Sequence, residues 1–190
     1  MKIFTVRHGQ TVWNVEGRLQ GHTDIPLDEV GLEQAQKIAN RLAGEKIDII
    51  YTSDLQRAAK TAETINIHHN VEVIPTARLR ESSFGIYEGR ILEEVYHEID
   101  WNHPDGSNEN VQQKFHRIHS FLEEITTKPH ESIVIVGHFG SVRAAICYFL
   151  EIPMEKRRGF EIGNTAIHCF ERGEDGKYRM TLENDTDHLK

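Results

Sequence analysis

Short apolar runs alternate along this chain with longer stretches whose apolar positions follow a helical period. Lys2 to Val6 reads as a strand. Glu29 to Ala43 carries Ala35, Ile38, Ala39, Leu42 and Ala43 on one stripe, the spacing of a surface helix. Ile47 to Thr52 is a second strand, and Leu55 to Ile65 is a helix with Leu55, Ala58, Ala59, Ala62 and Ile65 on one side. Val71 to Ile74 is a short strand. Val111, Phe115, Ile118, Leu122 and Ile125 fall at steps of four and three, which predicts a helix over Asn108 to Thr126. Ser132 to Val136 is the most apolar strand, and a helix follows through Val142, Ala145, Ile146 and Phe149. Ala166 to Phe170 and Tyr178 to Leu182 close the chain as strands around a turn at Gly173 to Gly176. Strands alternating with helices predict an α/β sandwich around a mostly parallel sheet. Phe84 to Asn110 breaks this alternation and reads as an excursion over the sheet edge.

Ligands of open α/β sheets bind beyond the carboxyl ends of the strands, so the residues that follow each strand are the ones to inspect. The first strand runs into Arg7-His8-Gly9. The second is followed by Thr52-Ser53 and then by Arg57 at the start of a helix. Arg78, Arg80 and Glu81 follow the third, and Gly137-His138-Phe139-Gly140 follows the strand at Ser132 to Val136. In a parallel sheet these loops converge. Glycine lets backbone approach a ligand, helix N-termini present free amides to an anion, and arginine offers a planar fork to phosphate oxygens. A neutral imidazole is a competent nucleophile at phosphorus, and a glutamate with a raised pKa can protonate a leaving oxygen. These parts suffice for phosphoryl transfer with no metal and no cofactor.

Composition narrows the field. The chain has 190 residues, enough for one domain with its own core, and 38% apolar with 27% charged residues is a globular mixture. No window reaches the roughly 18 apolar residues of a membrane span. The N-terminal run meets Arg7 at once and lacks the apolar region of a signal peptide, so the expected location is the cytoplasm. Cys147 and Cys169 sit in apolar stretches and read as reduced core residues. The net charge of −8 argues against nucleic acid or an anionic membrane as partner, but not against a small phosphate met by a few aimed cations. His68-His69 and the pair His116 and His119 have no accompanying ligand motif, so no metal site is expected. Arg78 and Arg80 read as surface charges, and Trp13 as a packing residue.

Arg7-His8-Gly9-Gln10-Thr11-Val12-Trp13-Asn14 resembles the R-H-G-x-[ST]-x-x-N signature of the histidine phosphatase superfamily, the phosphoglycerate mutase-like proteins. Further blocks follow in the family's order. They are Gln20-Gly21 with Asp24 to Leu27 and Gly31, then Tyr51 to Ala62, then Leu79-Arg80-Glu81 with Phe84-Gly85 and Glu88-Gly89, then Val136-Gly137-His138. The acid block is similar in style to those of alpha-ribazole and broad-specificity phosphatases. The resemblance implies a three-layer α/β/α sandwich with a small inserted cap at about 84–110, in a single domain over 1–190. It implies that His8 is phosphorylated, that Arg7, Arg57 and His138 bind the phosphoryl oxygens, and that Glu81 is the proton donor and later the base. Asn14 would help hold the phosphoryl group, with Gln20 and Gly21 nearby. The activity implied is metal-independent hydrolysis of a small phosphomonoester.

One stretch departs from the family. Many phosphatase members have Gly-Glu-Ser before the long cap helix, where this chain reads Pro104-Asp105-Gly106-Ser107-Asn108-Glu109, and no role follows for Ser107 or Glu109. The competing readings are a mutase and a non-catalytic phosphate-binding relative. The intact set Arg7, His8, Arg57, Glu81 and His138 speaks against the latter. Against a mutase, Ile91 to Gln113 contains no Lys or Arg but does contain Glu93, Glu94, Glu98, Asp100, Asp105 and Glu109, an acidic cap that would disfavour an anionic leaving group.

Overall fold

The computed structural model describes residues 1–101, 109–156 and 159–190. The apolar runs form strands β1 (Lys2–Arg7), β2 (Ile49–Ser53), β3 (Glu72–Thr76), β4 (Ser132–Gly137), β5 (Ile167–Arg172) and β6 (Tyr178–Asp185). The amphipathic stretches form helices α2 (Glu29–Leu42), α3 (Gln56–Asn66), α5 (Val111–Thr126) and α6 (Phe139–Phe149). Two four-residue helices, α1 (Val12–Val15) and α4 (Leu92–Val95), are too short to leave a periodic signal. Cap chemistry sets the helix starts: the Asp28 side chain accepts from Gly31 N–H ahead of α2, and Asn110 and Gln113 form a capping box ahead of α5. The expected start of that last helix at Asn108 lies outside the described residues, as do Pro104 to Ser107.

The six strands form one sheet in the order β3-β2-β4-β1-β5-β6. The pairs β1–β4, β2–β4 and β2–β3 are parallel, while β5 runs antiparallel to both β1 and β6. Central strands β2 and β4 are buried at every position, as expected of parallel strands covered on both faces. Strand alternation divides their side chains into two cores. Ile3, Ile49, Tyr51, Ile133 and Ile135 pack with α5 and α6, and Phe4, Val6, Ile50, Val134 and Val136 pack with α2 and α3. Helices therefore cover both faces, in three layers. Cys147 is in the first core and Cys169 in the second, so the sheet separates the two thiols.

The irregular excursion has a small core of its own, formed by Leu19, Tyr87, Val95 and Ile99 with Phe84 and Trp101 against it. Backbone hydrogen bonds lace it to the segment after α1: Leu19 N–H donates to Arg90 O, Gly89 N–H to Leu19 O, and Leu92 N–H to Gly17 O. Its expected span of about 84–110 is described except for 102–108.

Ile118 is wholly buried on the apolar face of α5. Ile118→Ala should lower unfolding stability by about 2–5 kcal/mol, the usual loss for truncating such a side chain. Urea denaturation measures it, and a loss below about 1 kcal/mol would mean that this face packs loosely.

Candidate active site

The register of β1 and β4 pairs Arg7 with Gly137, so the next residue of each strand, His8 and His138, emerges at the same height. His8 N–H donates to Gly137 O at 2.9 Å, and the two imidazole rings stand 5.1 Å apart between centroids. Strand β2 ends at Ser53, and the first turn of α3 delivers Arg57 to the same place. Glu81 arrives from the chain beyond β3, after a single 3-10 turn at Ala77–Leu79. All five residues line one cavity of about 530 Å³, together with Asn14, Gln20 and Gly21.

Hydrogen bonding decides the tautomer of each imidazole. His8 Nδ1 lies 2.7 Å from the Gly9 carbonyl oxygen, which can only accept, so Nδ1 carries the proton and Nε2 keeps its lone pair. Burial, then the neighbouring His138, Arg7 and Arg57, push His8 well below its ordinary pKa, so it is neutral near pH 7. Arg57 Nε–H donates to His138 Nδ1 at 3.2 Å, which leaves the His138 proton on Nε2, bonded to Ser53 Oγ at 2.8 Å. Burial and the two arginines likewise hold His138 neutral. Arg57 also donates to Thr23 O at 3.0 Å and Gly21 O at 2.9 Å. Three of its five N–H groups are thereby used and two remain for a ligand. Arg7 donates to Ile162 O at 2.7 Å, while its buried Nε–H has no partner among the described residues.

Glu81 corrects one expectation. A general acid was expected to need a raised pKa, and burial does act in that direction. Lys114, the Gly140 and Ser82 amides and Arg143 outweigh it and hold the carboxyl down at about 2. Oε2 accepts Gly140 N–H at 2.6 Å, Oε1 accepts Ser82 N–H at 2.9 Å, and Lys114 Nζ lies 3.5 Å from Oε1. In the ligand-free site Glu81 is therefore an anion. Gly140 is needed for this packing, because a Cβ there would collide with the Glu81 carboxylate and the Lys114 ammonium.

A model of the histidine phosphatase superfamily (branch 1) matches residues 3–186. The chain belongs to the histidine phosphatase superfamily. Phosphoserine phosphatase 1 of Hydrogenobacter thermophilus is 32% identical over 190 residues, which cover 90% of this chain and 88% of that protein. Phosphoglycerate mutase-like protein 4 of Arabidopsis thaliana is 33% identical over 203 residues, 100% of this chain and 87% of that protein. The crystal structure of phosphoserine phosphatase from Entamoeba histolytica in complex with 3-phosphoglyceric acid has a TM-score of 0.86 and 30% identity, and the match covers 100% of this chain and 99% of that one.

Of the other parts of this histidine phosphatase site, Asn14 and Gly21 were expected from sequence, whereas Asn164, Lys114 and Arg143 were not singled out. Asn14 Oδ1 accepts Thr11 N–H and Thr11 Oγ–H, both at 3.1 Å, and Asn164 Nδ2–H at 3.3 Å, so its Nδ2 end is the one left for a ligand. Glu88 gathers the amides of His22, Thr23 and Phe84 and the hydroxyls of Thr23 and Ser83. It thereby shapes the turn whose Gly21 and Thr23 carbonyls hold Arg57. Gly21 sits there at φ +53°, where a side chain would also strike Glu88. Lys114 and Arg143 also line the cavity. Arg78 and Arg80 are, as expected, paired outside it, with Glu124 and Asp54. Trp13 packs over Gly89 and lines the cavity, as does Trp101.

The acidic cap does not act as expected. Glu93, Glu94, Glu98 and Asp100 are exposed, and of the described acids in that run only Glu109 lines the cavity, forked to Arg117. Asp105 lies outside the described residues. Against Glu81 and Glu109 the cavity presents Arg7, Arg18, Arg57, Lys114 and Arg143. The argument that acidic charge repels an anionic leaving group therefore fails. Among the described residues, no three His, Cys, Asp or Glu side chains are grouped to hold a metal ion, and no helix is long and apolar enough to cross a membrane.

The neutral imidazoles make this protein sensitive to acid. A histidine whose folded pKa lies below its unfolded value of 6.5 contributes stability at higher pH, and that stability is lost as pH falls through this window. The urea midpoint should decline from pH 6.5 downwards, and should decline less steeply in His8→Ala. Parallel slopes for the two proteins between pH 6.5 and 5 would show that His8 accepts its proton without penalty.

Proposed function

We propose that this chain hydrolyses small phosphomonoesters through a phosphohistidine formed on His8. The observation that carries this reading is the fixed tautomer of His8: the Gly9 carbonyl takes the Nδ1 proton, and the basic Nε2 is left in a cavity walled by Arg7, Arg57 and His138. Nε2 attacks phosphorus, the N–P bond forms, and the bond from phosphorus to the ester oxygen breaks. The two unused N–H groups of Arg57, the buried Nε–H of Arg7, and the His138 Nε2–H once it turns from Ser53 Oγ to the ligand meet the charge spread over the phosphoryl oxygens. Asn14, Gln20 and Gly21 form the adjoining wall. Glu81 gives its proton to the leaving oxygen. In the second step Glu81 takes a proton from water as the water oxygen attacks phosphorus, and His8 and inorganic phosphate are released.

The low pKa of Glu81 fits this cycle once substrate charge is included. A phosphomonoester dianion beside Arg7 and Arg57 offsets the positive charge around the carboxylate and so raises its proton affinity. We read 1–190 as one domain in which the segment at about 84–110 caps the cavity. A cytoplasmic setting suits two buried thiols kept apart by the sheet. Relatives named as phosphoserine phosphatases favour hydrolysis, and a mutase-like relative keeps transfer between hydroxyls as the second reading.

Supplying 3-phosphoglycerate with 2,3-bisphosphoglycerate as primer, in the presence of a chelator, separates the two. Free phosphate should appear faster than 2-phosphoglycerate, and faster isomerisation would make the protein a mutase. His8→Ala should fold and lose at least about a thousandfold in kcat, whereas activity within about tenfold of the parent would rule out the covalent route. Glu81→Gln should slow alkyl phosphates far more than an activated aryl phosphate, whose leaving group needs less protonation. Equal losses on both would remove Glu81 from the acid role.

A further inference from the structure

His8 sits on a backbone that is gripped from two sides. On one side its N–H is bonded to Gly137 O of β4. On the other, the bend at 163–165 ahead of β5 holds the same residue. Thr165 N–H is shared between Arg7 O at 3.1 Å and His8 O at 3.4 Å, and Asn164 Nδ2–H donates to His8 O at 3.0 Å. Thr165 makes this contact in a backbone conformation that its own side chain opposes. Its φ is +53°, in the left-handed region where a β-branched residue is strained, and it is fully buried. Such a conformation persists only where the surrounding structure imposes it. The surroundings here are β6 and the turn behind it at Asp187–Leu189. Thr165 Oγ is 3.0 Å from His188 Nε2, and Gly163 N–H donates to Asn184 Oδ1 at 2.9 Å. Asn184 is itself at φ +44°, where the pairing of β5 with β6 slips: Ile167 faces Asp185 but Cys169 faces Leu182, so β6 carries an extra residue. A bulge of this kind re-aims a side chain, and here it turns Asn184 to the bend. The same segment is tied back to α2, through Arg41 to Asp185 at 3.1 Å and Lys37 to Leu189 O at 3.4 Å.

We propose that His188 and Asn184 are positioning residues for the phosphoryl-transfer step: they brace the strained Thr165 bend, and the bend sets the place of His8 in the cavity. The inference rests on the phosphohistidine reading and adds to it two residues that do not line the cavity. A nucleophile must present its reactive atom in line with phosphorus, and a small displacement is costly. The His8 ring is held by the Gly9 carbonyl, so its placement follows the backbone at 8–9. Arg7 depends on the same bend, because its guanidinium donates to Ile162 O at 2.7 Å, one residue before Gly163. A shift of the bend therefore moves the nucleophile and a phosphate-facing arginine together. Glycine at position 165 would accept φ +53° without strain but could not reach His188, so the strained threonine is what connects the bend to its brace.

The test measures hydrolysis of p-nitrophenyl phosphate and the urea midpoint in the parent, His188→Ala, Thr165→Gly and the double variant. His188→Ala should lower kcat by about tenfold or more with KM within about twofold of the parent, the pattern of a displaced reacting group. Thr165→Gly should keep or raise the urea midpoint, because the backbone strain is relieved, and should still lose about as much kcat as His188→Ala. A residue that only supports folding would lose stability and activity together. Adding His188→Ala to Thr165→Gly should bring no further loss of kcat, since both changes cut one connection. Retention of kcat within about twofold in either single variant, a urea midpoint that falls together with kcat in Thr165→Gly, or losses that multiply in the double variant overturns the proposal. Exchange of the His8 Nδ1 proton with water, followed by NMR without substrate, tests the brace apart from catalysis. It should be faster in His188→Ala and Thr165→Gly than in the parent, and equal rates refute the brace. Failure of the parent to hydrolyse p-nitrophenyl phosphate would instead sink the phosphatase reading, and the proton-exchange comparison would still decide whether the bend holds His8.

Discussion

Everything at the reactive edge of this protein is arranged around the burial of one guanidinium. Arg57 is 1% exposed, and burial lowers its pKa from 12.5 to about 10, with Glu81, Asp24 and Glu88 opposing that shift. It remains a cation at neutral pH, and a buried cation must be solvated by the protein. The Gly21 and Thr23 carbonyls and His138 Nδ1 supply that solvation, so one side chain joins the turn after Gln20, the start of α3 and the loop after β4. Glu88 in turn braces the turn that offers the carbonyls. The arrangement spends three N–H groups on the protein and leaves two unused on a guanidinium held in place, which in the proposed reaction are the donors that meet a charged transition state.

The parallel part of the sheet makes such a meeting possible. Strands β1, β2, β3 and β4 all end on one edge, so residues distant in sequence are delivered to one level. The antiparallel β5 contributes differently. The bend leading into it places the Ile162 carbonyl under Arg7 and the Asn164 amide under the His8 carbonyl. A chain of net charge −8 thus concentrates its cations where backbone carbonyls can hold them, and turns its acids at Glu93, Glu94 and Glu98 to water. Net charge describes the surface and says little about a cavity with a few aimed groups.

Much of this was legible in the sequence, for identifiable reasons. An apolar run that stops at Arg7-His8-Gly9 can only be a strand delivering polar side chains at its end, and the same holds for Val136-Gly137-His138. The central strands were readable because burial on both faces leaves no polar alternation. Lys114 was not legible as a site residue, although it lies three residues from Val111 and four from Ile118, on the edge of the apolar stripe of α5. A lysine there usually snorkels to water, but this one faces Glu81 at 3.5 Å, a carboxylate set by a loop far away in sequence. The direction of the cap acids was hidden for the same reason: a charge run has a sign in the sequence but no orientation. Glu88 was visible as part of a pattern, but its hydrogen bonds to the turn exist only in three dimensions.

The ionisation of Glu81 ties the fold to the proposed chemistry. A single carboxyl that protonates a leaving group and then deprotonates water must change state within one cycle. A carboxyl with a strongly raised pKa would serve the first step and resist the second. Here the amides of Gly140 and Ser82 and the Lys114 ammonium favour the anion, so the resting site is the base form. The proton needed for the first step then depends on charge brought in by the substrate. Once the leaving alcohol departs with that proton, the same backbone amides favour the carboxylate that activates water. In the proposed cycle the acid state is thus conditional on occupancy while the base state is built into the fold, so that cycle asks no conformational change of Glu81 itself.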